Sequence, residues 1–109
     1  MPLIKFSLDE VEFSKATTSL KRAIRGRGVR AIQCHLTKTR LRIDCGEWGK
    51  ASIPVVSPST SRFTITPSAL GKAASAYRDF KRGSTTDAFA VLDKKLGFLR
   101  TYRMDIKIK

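Results

Sequence analysis

Between Glu12 and Asp44 the chain has no carboxylate, yet Lys15, Lys21, Arg22, Arg25, Arg27, Arg30, Lys38, Arg40 and Arg42 all fall there. Lysine and arginine in such density do one kind of chemistry well. They neutralise phosphates, and the counterions released from a polyanion drive binding without reading its bases. The whole chain repeats the bias, with 22 Lys and Arg against 9 Asp and Glu, a net charge of +13. A polyanionic partner follows, nucleic acid first and a membrane surface second.

Other chemistry is poorly supplied. There is no P-loop, nucleophile elbow, HExxH or CxxC, and the carboxylates are scattered. Gly26-x-Gly28 has no third spaced glycine, so it is no dinucleotide fingerprint. Catalysis, a cofactor and a metal are therefore not expected. Cys34 and Cys45 have no metal-ligand spacing and read as small apolar core residues of a reduced, cytoplasmic chain. His35 has no ligand set around it and reads as a surface residue. The first residues do not read as a signal peptide, and no apolar run approaches the ~20 residues of a membrane span.

The cations must be positioned by something, and helices are the first candidates. Asp9 is a plausible N-cap with Glu12 completing a capping box, and Phe13, Ala16, Leu20, Ala23 and Ile24 recur at helical spacing over 10–25. At ~100° per residue, Lys15, Thr18, Arg22 and Arg25 take the opposite face, with Lys21 on its flank. Gly26 and Gly28 supply the stop. Residues 29–36 and 41–45 alternate as paired strands, with Leu36 opposite Leu41, Cys34 facing Ile43, and His35 outward beside Arg42. Residues 50–56 make a third strand.

A shift of 57 positions then lays the plan over itself without a gap: Lys5-Phe6-Ser7-Leu8 falls on Arg62-Phe63-Thr64-Ile65, Ala16 on Ala73, Arg25 on Arg82 and Gly26 on Gly83. Thr66 caps the second helix, Pro67 opens it, and Leu70, Ala73, Tyr77 and Phe80 form its stripe. Lys72, Ser75 and Arg82 lie opposite, with Arg78 on the flank. A hairpin around Lys94-Lys95 and a last strand over 103–109 complete it. The expected fold is one α+β domain over 1–109, in pseudo-repeats of about 1–57 and 58–109. Each repeat is a β-α-β-β-β unit, and two adjacent helices pack on antiparallel sheets. The cationic surface is then carried by the helices, not the sheet. Its residues are Lys15, Lys21, Arg22, Arg25, Arg27, Lys72, Arg78, Lys81 and Arg82.

A duplicated β-α-β-β-β unit with paired basic helices resembles one domain of a DNA sliding clamp, the family of the bacterial polymerase processivity clamp and proliferating cell nuclear antigen. Ile4-Lys5-Phe6-Ser7-Leu8 followed by Phe13, Ala16, Leu20 and Ile24 is similar to the start of such a domain. The resemblance implies sequence-independent duplex binding in DNA replication. It also implies self-association through sheet edges, with residues 50–56 and 103–109 as the edges, and about six domains in a closed ring. A polymerase or repair partner would follow. The departure is that clamp chains join two or three domains and this one has a single domain, so no partner-binding residue carries over. A non-ring nucleic-acid module, or an interaction protein for an acidic partner, stands as the alternative.

Overall fold

A computed structural model describes residues 3–78, 80 and 88–108 of the chain. Its strands are β1 (Leu3–Leu8), β2 (Ile32–Leu36), β3 (Arg40–Asp44), β4 (Lys50–Val56), β5 (Ser61–Ile65), β6 (Ala88–Asp93), β7 (Phe98–Arg100) and β8 (Asp105–Lys107). They form one eight-stranded antiparallel sheet in the order β5-β2-β3-β4-β1-β6-β7-β8. A bridge between Ile65 and Ile108 brings the two ends of that order together, so the sheet almost closes on itself.

Alternation decides which face is buried. Ile4, Phe6 and Leu8 of β1, Ile32, Cys34 and Leu36 of β2, and Leu41 and Ile43 of β3 all point into one core. The expected register is observed: Cys34 pairs with Ile43, Leu36 with Leu41 and His35 with Arg42. A slip of one residue would turn every one of these apolar side chains to solvent, which is why the pattern fixes the pairing.

Two helices cover the core, making an α+β domain. Helix α1 (Glu10–Ala23) starts where the sequence places it. The Asp9 carboxylate accepts from the N–H groups of Val11 at 3.0 Å and Glu12 at 3.1 Å. The reciprocal half of the expected capping box is not made. The Asp9 N–H donates instead to the Pro54 carbonyl at 3.4 Å, so Glu12 has no donor to reach back for. Asp9→Ala is expected to lower stability by ~1 kcal/mol, read from thermal melts. Past the helix, Gly26 adopts φ 72°, the left-handed conformation that the glycine was expected to supply.

Helix α2 (Pro67–Ala73) is capped by Thr66, whose hydroxyl accepts from the Ala69 N–H at 3.1 Å. It is shorter than the stripe predicts. After Ala73 the chain tightens into turns with i to i−3 bonds: Ser75 N–H to Lys72, Ala76 to Ala73 and Phe80 to Tyr77. The Ala76 carbonyl, which a continuing helix would offer to Phe80, accepts from the Arg103 N–H at 3.1 Å instead. The stripe still faces inward, with Leu70, Ala73 and Tyr77 buried and Phe80 partly buried against the core. Phe13 and Tyr77 meet edge to face at 5.4 Å and 83°.

The sheet also differs from the expectation of two sheets with β4 at an edge. Strand β4 lies between β3 and β1. Its contact with β1 is short, Ser7 to Val56 and Leu8 to Val55, whereas β3 pairs with it from Lys50 through Pro54. Pairing of the last residues of β1 with the last of β4 merges the sheets, because both strands end beside the start of α1.

Candidate nucleic-acid interface

The exposed sides of the two helical segments meet in a cleft. Phe13 touches Tyr77, while a Cβ built on Gly71 would lie 3.9 Å from the Lys21 Cε, so the segments run antiparallel. Thr18, Lys21, Arg22 and Arg25 line one wall; Ala74, Ser75 and Arg78 line the other, around a volume of about 430 Å³. Arg78 Nη2 donates to Ser75 Oγ at 3.0 Å, which holds that guanidinium at the rim.

Among the described residues, four cations line the cleft, Lys21, Arg22, Arg25 and Arg78, and no carboxylate does. Lys50 and Asp44 form an ion pair at 4.0 Å, and neither lines the cleft. Among the described residues no carboxylate pairs with the cleft cations, and a row of phosphates is the chemistry they suit.

The other expected residues are placed differently. Lys15 lies on the same stripe of α1, one turn before Thr18, and is exposed outside the cleft; Lys72 is exposed on α2. The Arg27 guanidinium stacks 4.5 Å over the Trp48 ring, so that cation is held on the loop between β3 and β4. Lys81 and Arg82 lie outside the described residues. The sheet carries cations as well as the helices. Arg62, His35 and Arg42 stand side by side on the outer face of β5, β2 and β3, a row that appears only once β5 is known to pair with β2.

The remaining reactive groups are sealed. Burial pushes the Cys34 thiol up to about 12, with a smaller contribution from Cys45. Burial and then the Asp44 carboxylate raise Cys45, and burial and then Glu10 raise Tyr77. Because the thiolate is the reactive form, both thiols are expected to resist alkylation at pH 8 in the folded protein and to react once it is unfolded in urea. The folded values lie above the unfolded ones, 9.0 for the thiols and 10.0 for the phenol. Their contribution to stability is thus complete below about pH 9 and lost as pH rises toward the folded values. Urea midpoints should fall over that range, and Cys34→Ala should flatten the fall.

Among the described residues no three His, Cys, Asp or Glu side chains converge to hold a metal ion, and no helix is long and apolar enough to cross a membrane. The chain matches no protein-family model, no curated protein and no solved structure.

Proposed function

We propose that the protein binds duplex DNA without sequence preference, through phosphate contacts in the cleft between α1 and α2. The observation that carries this is the convergence of Lys21, Arg22, Arg25 and Arg78, from two separate segments, on one groove that no carboxylate lines among the described residues. Helix-borne cations of this kind position a protein on the backbone and leave the base edges unread. Two unrelated duplexes of equal length should bind equally in a fluorescence-anisotropy titration at low salt. A preference of more than a few-fold would indicate base readout.

The finer reading is a clamp-like, internally duplicated domain. The ladders support it: exchanging β1 with β5, β2 with β6, β3 with β7 and β4 with β8 turns the β1–β6 pairing into β5–β2, and β1–β4 into the Ile65–Ile108 contact. The caps Asp9 and Thr66 are 57 residues apart, as are the first helical residues Glu10 and Pro67. In this reading the domain tethers a partner such as a polymerase to DNA, and several copies would encircle the duplex. The stretch of β4 from Lys50 to Ile53 has β3 on one side and no ladder to β1 on the other, which supports association through that edge.

The near-closure of the sheet favours a second reading, the same module acting without a ring. Positive copies also repel one another, and DNA would relieve that repulsion. Sedimentation with and without duplex separates the two: DNA-dependent growth to a closed oligomer supports the ring, and one copy in both conditions removes it while leaving DNA binding standing.

A further inference from the structure

The outer face of β5-β2-β3-β4 holds a larger hollow than the helix cleft, about 530 Å³. Small-ligand sites typically occupy ~300–1,000 Å³. Two cross-strand rows run over this face, and all of their residues but Thr64 line the hollow. Register places Arg62, His35, Arg42 and Ser52 in the first row and Thr64, Gln33, Asp44 and Lys50 in the second. Neighbouring strands are ~4.8 Å apart, so the Arg62 and Arg42 backbones stand about 10 Å apart with His35 between them. Each guanidinium can close over that histidine, and a single tetrahedral anion there would be met from both sides. Arg42 and Arg62 are exposed, His35 is half-buried, and among the described residues no carboxylate pairs with the two arginines.

The second row has a different character. Thr64 Oγ1 donates to Gln33 Oε1 at 3.4 Å. Asp44 Oδ1 accepts from the Gly46 N–H at 2.7 Å, and its other oxygen lies 4.0 Å from Lys50 Nζ. This end offers amide, hydroxyl and carboxylate groups suited to hydroxyl or amino hydrogens. Its carboxylate opposes further phosphates. The hollow is thus polar in a directional sense, with one anion-binding end and one hydrogen-bonding end.

We propose that this face binds a nucleotide through a single phosphate monoester, with the phosphate between Arg62 and Arg42 over His35 and the sugar or base against Gln33 and Asp44. Arginine forks match phosphate oxygens in pairs, and histidine adds a donor. The same chemistry could come from a free mononucleotide or from the 5′-phosphate end of a strand. The site is separate from the helix cleft and does not depend on it.

The test uses the full chain and isothermal titration with AMP, ATP and adenosine, and with a short single strand carrying either a 5′-phosphate or a 5′-hydroxyl. The expected result is that AMP binds more tightly than adenosine or ATP, or that the phosphorylated strand binds more tightly than the hydroxyl one. The first outcome identifies a free nucleotide as the ligand and the second a strand end. Losing two charge-assisted contacts in the Arg42→Gln, Arg62→Gln variant should abolish that preference, a weakening of at least ~10-fold. Both side chains are exposed, so a melt matching the parent's will show that the variant folds. Arg22→Gln with Arg25→Gln in the helix cleft should leave the preference intact, and Asp44→Asn should bring ATP up to AMP. If neither phosphorylated probe is favoured, or if the Arg42 and Arg62 replacements leave the preference unchanged, the site is overturned.

Discussion

Replacing Arg22 and Arg25 together with glutamine should lower the affinity for duplex DNA by ~10²-fold at 0.1 M salt, because each phosphate contact contributes about 0.9 decade there. Both residues line the same wall of the cleft, so their contacts are made or lost as a set. Glutamate at the same positions should weaken binding further, since a like charge is added to the removed contact. The effect should be equal on unrelated sequences, because phosphates carry no sequence information. Lys15→Gln, one turn outside the cleft, should have a smaller effect. Anisotropy titrations at a single ionic strength measure all three. Equal losses at Lys15 and at the arginine pair would place the interface on α1 alone, without the second wall.

The largest effect on stability is expected at Phe13. Its ring is 2% exposed and fills the space between α1 and Tyr77. Phe13→Ala should destabilise the fold by ~3–5 kcal/mol, and Leu70→Ala, which empties a fully buried position on α2, by ~2–5 kcal/mol. Lys15→Ala and Lys72→Ala, both exposed, should change stability by no more than ~0.5 kcal/mol. Chemical denaturation of the four variants gives the comparison. A lysine variant less stable than the Phe13 variant would mean that the helix faces are assigned the wrong way round.

Much of this was legible from local patterns. Period-2 alternation fixed the inward faces and the β2–β3 register, because one face of each strand had to be buried. The caps Asp9 and Thr66 were legible because their side chains bond to N–H groups only two or three residues away. What was missed depends on partners distant in sequence. The turns after α2 are held by a bond from Arg103 to Ala76, and the incomplete capping box reflects a bond from Asp9 to Pro54. Thr17 was missing from the expected core because a hydroxyl reads as polar; it is buried with its Oγ1 donating to the Phe13 carbonyl at 2.7 Å. In the same way the cleft cations were legible singly from helical spacing, but the wall formed by Ala74, Ser75 and Arg78 lies in turns where a helical wheel no longer applies. The Arg62–His35–Arg42 row was invisible for a related reason: alternation gives the face of a residue, and only the order of strands gives its neighbours.

The salt dependence of duplex binding tests the interface most directly. Four phosphate contacts give a slope of log K against log salt near −3.6, and removing Arg22 and Arg25 should bring it to about −1.8. Titrations of the parent and the Arg22→Gln, Arg25→Gln variant from 50 to 200 mM salt should then show affinity falling by ~10²-fold and ~10-fold respectively. An unchanged slope in the variant, or no binding by the parent at the lowest salt, would contradict phosphate binding in the interhelical cleft.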